Sequence, residues 1–246
     1  SYGEDPVLVS AMGVAYTRGC QKNKVAGRKT ESVAKHFLGF HNSSGGIHGA
    51  NSDTPPRLLQ EIYGKSFQAA ISKADLKGMM PCYCLIDGEP ASTSYNYLTK
   101  LLREEMGFDG VCVSDYGAIN NAFMSQGIGE SKEEVGLLSL TAGMDMELPS
   151  VEGYNEAFKN LFVTNKADIN ILNKAVKRVL AAKFRMGLFE HPYALKGDEL
   201  RTVFENDNDK EISLQSAKES MVLIKNNGVL PISRDIKKIA LIGPHA

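Results

Sequence analysis

No charge of either sign dominates this chain. Its 28 Lys and Arg are set against 29 Asp and Glu over 246 residues, for a net charge of -1. With no basic block or stripe, nucleic acid is not expected as a partner. No run of eighteen apolar residues occurs, so no membrane-crossing helix and no membrane partner are expected. Cysteine is sparse: Cys20, Cys82, Cys84 and Cys112 give one C-x-C and no C-x-x-C, which fits neither a zinc ribbon nor a disulfide framework. Cys82, Cys84 and Cys112 lie in or beside apolar segments and read as small buried hydrophobes. Neither G-x-G-x-x-G nor G-x-x-x-x-G-K-[ST] is present, which removes the usual nucleotide loops. The histidines at 36, 41, 48, 191 and 245 are dispersed except within 36–48, so no metal and no cofactor are expected. Neither terminus resembles a targeting segment, but the chain opens SYGEDP rather than with Met, so the compartment stays open.

What is present points to an α/β fold. The chain is 43% hydrophobic, enough for one large domain or two small ones. Strand patterns fall at 31–37 (ESVAKHF), 77–84 (KGMMPCYC), 110–115 (GVCVSD) and 144–148 (MDMEL). Between them, residues 55–74 carry Leu58, Leu59, Ile62, Phe67 and Ile71 at helical spacing, after an Asp53-Thr54-Pro55 start. Further helices are expected over 95–108, 132–143, 154–162, 168–187 and roughly 209–221, and Glu4-Asp5-Pro6 reads as helix-start chemistry. Strands alternating with helices imply a parallel sheet, whose functional groups gather at the carboxyl ends of strands. Residues 190–208 are charged and aperiodic and read as a linker, while IALIG near the end is a buried-strand pattern with no partner left. A closed (β/α)8 barrel needs eight strands and about 250 residues. The four found before residue 190 suit either a smaller open sheet or the later part of a barrel followed by the opening of another domain.

The segment GVCVSDYG, residues 110–117, raises the question of function. A short apolar strand runs straight into Ser114, Asp115 and Tyr116, so Asp115 either caps the following helix or is held there for chemistry. SYGEDPVL, VAKHFLGF, MMPCYCLIDGEPAS, LLREEMGFDGVCVSDYGAI, TAGMDMEL, VKRVLAAKFRMGLFE and ESMVLIKNNGVLPI follow in an order that resembles glycoside hydrolase family 3, the β-glucosidase-like enzymes. The resemblance covers nearly the whole chain. It implies a TIM-like barrel whose later βα units are residues 1–189, a linker with a helix at 190–236, and the start of an α/β sandwich at 237–246. The early barrel strands, which in the family supply an Asp and an Arg that grip the sugar, and nearly all of the sandwich would lie elsewhere.

The implied activity is that of a retaining exo-β-glycosidase acting on terminal β-linked sugars of oligosaccharides or aryl glycosides, β-glucosidase first. A β-xylosidase or a non-catalytic carbohydrate-binding relative are the alternatives. Such hydrolysis normally uses two carboxyl groups about an oxocarbenium-like transition state. The resemblance makes Asp115 the nucleophile, in SD[WY]. It sets Lys35 and His36 on the sugar hydroxyls, Tyr83 and Met80 beside the nucleophile, and Tyr116 where the family usually has a Trp that stacks on the sugar. Adjacent strand residues point to opposite faces, so Lys35 and His36 can both reach the sugar only if the backbone bends. Asp145 and Glu147, two apart on one strand, are a second acidic pair to weigh. His48 stands where the N-acetylglucosaminidase branch keeps its acid/base His, but Gly46 replaces the accompanying Asp, so no general acid is assigned. In the β-glucosidase branch that group is a Glu from the sandwich. The residues present are therefore expected to need the missing segments to complete the site, and a homo-oligomer is left open.

Overall fold

A computed structural model describes residues 2–22, 24–25, 28–205 and 207–244. It divides into two compact units, Ser1–Ala194 and Leu195–Ala246.

The first unit is organised around four strands: β1 (Val33–Phe37), β2 (Gly78–Pro81), β3 (Val111–Tyr116) and β4 (Met146–Leu148). They hydrogen-bond in chain order, and every pairing is parallel. This is the arrangement of successive units in a (β/α)8 barrel, with helices making each crossover. Close approach sets the spacing at the amino ends. A Cβ on Gly110 would run into the Lys77 carbonyl, and the Val111 N–H donates to that same oxygen at 2.8 Å. Phe37, Leu59, Leu76, Met79, Leu98 and Leu102 are among the fully buried side chains of the main core. Cys82, Cys84 and Cys112 are buried there as free thiols, the role expected of them.

The expected helices at 95–108, 132–143, 154–162 and 168–187 appear as α3 (Asn96–Glu105), α5 (Lys132–Ala142), α6 (Glu156–Val163) and α7 (Ile169–Arg185). The one expected over 55–74 is interrupted before α2 (Lys65–Ala74), where the Gly64 N–H reaches back five residues to Leu59 at 2.7 Å. Helix α1 (Pro6–Lys22) begins with the Val7 N–H on Asp5 Oδ1 at 2.7 Å. It is fixed by tertiary bonds: Arg18 Nη2 and Gln21 Nε2 donate to the Lys73 and Ala74 carbonyls at 2.5 and 3.0 Å, covering the open end of α2. Helix α4 (Ala118–Met124) follows β3 directly. Among the described residues no helix is long and apolar enough to cross a membrane.

The second unit holds α8 (Gly197–Phe204) and α9 (Asp207–Glu219). Helix α8 replaces part of the stretch read as aperiodic linker; at eight residues, it is too short for its periodicity to stand out from its charges. The IALIG strand does not form among the described residues, and Ile239, Leu241 and Ile242 are exposed. A strand needs a neighbour for its backbone donors and acceptors, and that segment has none here. Residues 245–246, the end of the stretch expected to open the sandwich, lie outside the described residues.

Candidate active site

Two register irregularities shape the carboxyl end of the sheet. Between β1 and β2, Lys35 pairs with Met80 and Phe37 with Pro81, so His36 is an extra residue on β1. Between β3 and β4, Val113 pairs with Met146 and Tyr116 with Leu148, so β3 carries an extra residue at Ser114–Asp115. A bulge re-aims a side chain that a regular strand would send to the alternate face. Here the result spans β2: His36 Nε2 and Asp115 Oδ2 stand 3.2 Å apart although their strands are not neighbours.

Asp115 is only 9% exposed, and its Oδ1 accepts the Tyr116 backbone N–H at 2.7 Å. It is not the side-chain cap of α4: Gly117, in left-handed conformation, occupies that position without a side-chain bond. Burial holds the His36 imidazole below its ordinary value, against the pull of the Asp115 charge, and Lys35, His48 and His41 push the same way as burial. At neutral pH it is therefore an uncharged neighbour of the carboxylate. The Tyr83 phenol is pushed up to about 12, first by burial and then by the Asp115 charge. It stays a proton donor and gives its hydrogen to the Tyr116 carbonyl at 2.5 Å.

The other sequence candidates divide. Met80 is buried at the end of β2, and Tyr116 is 65% exposed at the rim. Lys35 is exposed, makes no hydrogen bond or ion pair with the described residues, and lines a cavity of about 460 Å³ between α1, β1 and α2. The structure thus gathers Asp115, His36 and Tyr83, with Tyr116 at their edge, and leaves Lys35 uncommitted. Asp145 and Glu147 do not join them. Asp145 accepts from Arg103 and Arg178 at 2.8 Å each and from the Cys112 N–H at 2.9 Å. Glu147 accepts the backbone N–H groups of Glu152, Gly153 and Tyr154 at 2.9–3.1 Å. Both carboxylates are spent on structure, one on an ion-pair cluster and the other on a loop.

Three features escaped the sequence. Phe40 lies against His36, His41 and His48, with ring centroids 5.1, 5.5 and 5.1 Å away, and His48 stands 4.6 Å from Tyr83. The 38–50 loop is thereby folded against the site. Gln126 Nε2 donates to the Tyr83 carbonyl at 2.7 Å and the Gly49 carbonyl at 3.4 Å, tying that loop to Tyr83. Ser114 is fully buried and accepts the Leu148 N–H on its hydroxyl at 2.8 Å. Of these, Ser114 carried a sequence signal in its place beside Asp115, and His48 carried one in the family resemblance of its loop.

The model of the glycosyl hydrolase family 3 N-terminal domain matches residues 1–182. This chain belongs to glycosyl hydrolase family 3. It is 35% identical to a β-xylosidase of Formosa agariphila, with all of this chain covering 35% of that protein. It is 30% identical to a lysosomal β-glucosidase of Dictyostelium discoideum, again over all of this chain and 31% of the relative. Among solved structures, the β-glucosidase of Listeria innocua superposes with a TM-score of 0.82 at 30% identity, covering 94% of this chain and 32% of that one. The chain thus spans about a third of the length of these family 3 relatives, and the portion it spans has the barrel-type α/β fold the family implies.

Proposed function

We propose that this chain carries the nucleophile side of a retaining exo-β-glycosidase site, with Asp115 as the attacking group. The observation that carries the reading is the Asp115 carboxylate at the end of β3. It is 9% exposed, with Oδ1 held by a backbone N–H and Oδ2 beside an uncharged imidazole. A nucleophilic carboxylate has to be held in place without being paired to a cation, and the backbone N–H and the uncharged imidazole supply that setting. In the first step an Asp115 oxygen bonds to the anomeric carbon as the glycosidic C–O bond breaks. The leaving oxygen takes a proton from a general acid. Water then displaces the carboxylate from the sugar, returning a proton to that same group.

In this reading His36 and Lys35 supply donors for sugar hydroxyls, Tyr83 fixes the backbone beside the nucleophile, Met80 lies buried on the strand between those of His36 and Asp115, and Tyr116 offers a ring face at the rim. No general acid is assigned among the described residues; Asp145 and Glu147 are taken up by contacts with Arg103 and with backbone N–H groups. In this reading residues 1–189 are later barrel units, 190–236 a linker with a helix, and 237–246 the opening of a sandwich domain. Segments beyond this chain complete the site, consistent with relatives about three times as long. β-Glucosidase activity is the first reading, supported by the Listeria and Dictyostelium proteins. β-Xylosidase is the second, favoured by the higher identity to the Formosa protein.

The test is proton NMR of an aryl β-glucoside and an aryl β-xyloside during hydrolysis by the intact protein. The faster substrate assigns the sugar. Retained configuration at the anomeric carbon is expected; inversion overturns the mechanism.

A further inference from the structure

We infer that Gln126 is a positioning residue for the sugar-binding wall beside Asp115, holding the His48 loop against Tyr83; this rests on the reading of the site given above. Around Asp115 the contacts form a chain. His36 meets the carboxylate at 3.2 Å, Phe40 lies against His36, and His48 lies against both Phe40 and Tyr83. The Tyr83 hydroxyl then returns to the Tyr116 carbonyl, one residue from Asp115. In this chain the β1 loop meets the segment after β2 at a single ring contact, His48 on Tyr83, 4.6 Å between centroids. Ile47 and His48 are exposed, so little packing holds that part of the loop.

Gln126 joins the same two segments through their backbones. Its own N–H donates to the Asn121 carbonyl at 3.1 Å, which fixes it at the end of α4. From there Nε2 reaches the Tyr83 carbonyl at 2.7 Å and the Gly49 carbonyl at 3.4 Å. Neither carbonyl receives a backbone N–H among the described residues. The two backbones come close here, since a Cβ on Gly49 would lie 3.8 Å from the Tyr83 oxygen. Two carbonyl oxygens turned toward one point repel, and an NH2 group between them offers one hydrogen to each. Without that donor the Gly49 turn is expected to draw away from Tyr83 and to take His48 with it. Asp115 keeps its own holds, the Tyr116 N–H and His36, so the loss falls on sugar binding rather than on the chemical step.

The experiment uses the intact protein and an aryl glycoside, and compares Gln126→Leu, Gln126→Glu and Asp115→Asn. Gln126→Leu keeps the length of the side chain and removes both donors. It is expected to raise KM about 5- to 10-fold with kcat within about threefold, the scale of a lost hydrogen bond. In Gln126→Glu the introduced carboxyl faces two carbonyl oxygens, which favours its protonated form, and that form has one O–H to give. Its KM, taken as a ratio to wild type at the same pH so that His36, His41 and His48 cancel, should improve at least about threefold from pH 7 to pH 5. The Leu ratio should stay flat. Hydrogen exchange of residues 42–50 gives a readout independent of turnover: faster in Gln126→Leu than in the wild type. A Leu variant with wild-type KM, a loss confined to kcat, unchanged exchange in the loop, or a Glu ratio that does not respond to pH each overturns the inference. Failure of the nucleophile reading shows separately, as full turnover in Asp115→Asn.

Discussion

Asp115 and Asp145 are both buried residues, each 9% exposed, but the Asp145 side chain is fully enclosed while that of Asp115 keeps 12% of its surface open. Their surroundings differ completely. Asp145 meets two guanidinium groups, Arg103 and Arg178, and a backbone N–H. Asp115 meets a backbone N–H and an imidazole that burial keeps uncharged at neutral pH. The first carboxylate has its charge matched on the spot, which makes it a tie between β3, α3 and α7 and a poor nucleophile. The second has no guanidinium or ammonium paired with it among the described residues and lies closer to solvent. Side-chain burial and countercharge thus differ together between the two carboxylates.

Replacing each acid by its amide breaks the comparison most sharply. Asp115→Asn in the intact protein should lower turnover by about 10³-fold or more while the melting temperature stays close to that of the wild type. Asp145→Asn should do the reverse in character. It leaves two arginines, one of them nearly buried, without their countercharge, and should cost about 3–5 kcal/mol in urea denaturation. If Asp145→Asn proved as stable as the wild type but inactive, the two roles would have been exchanged.

Smaller effects sharpen the same contrast. Glu147→Gln weakens a charged acceptor of three backbone N–H groups and should cost about 1–2 kcal/mol, with activity little changed. The smallest effect is the pH response of His36. Its folded pKa is lowered from 6.5, so the unfolded chain binds the proton more readily. Stability is therefore expected to be full above that value and to decline as pH falls through it, by less than one proton's slope. Melts of wild type and His36→Gln between pH 7 and pH 5 should diverge in that direction; a wild type that gains stability on acidification relative to His36→Gln would contradict the sign.

Much of the sheet was legible in the sequence, because β1 to β4 each carry an apolar run closed by polar residues and each is followed by a periodic helix or a turn. The core cysteines were legible for the same reason. Helix α1 was visible only at its start. Its body carries Gly13 and Gly19 and is held by Arg18 and Gln21, whose partners lie 55 and 53 residues away. Such tertiary anchoring leaves no periodic trace. The Asp145–Glu147 pair was left to be weighed for a related reason: the arginines that claim Asp145 are 42 and 33 residues distant. The local pattern of GVCVSDYG singled Asp115 out but left a helix cap and chemistry equally open, and only the family resemblance of its neighbourhood chose between them. The irregularity at His36 agrees with the bend expected at Lys35-His36, whereas the one at Ser114–Asp115 was invisible, since a one-residue slip in register depends on the partner strand and not on the strand that carries it.

The central claim is that Asp115, and no other acid of this chain, forms the covalent bond to the sugar. A slow fluorinated glycoside incubated with the intact protein, followed by peptide mass spectrometry, tests it directly. The label is expected on the peptide containing GVCVSDYG, at Asp115; a stoichiometric label on Asp145, Glu147 or any residue outside that peptide would contradict the account.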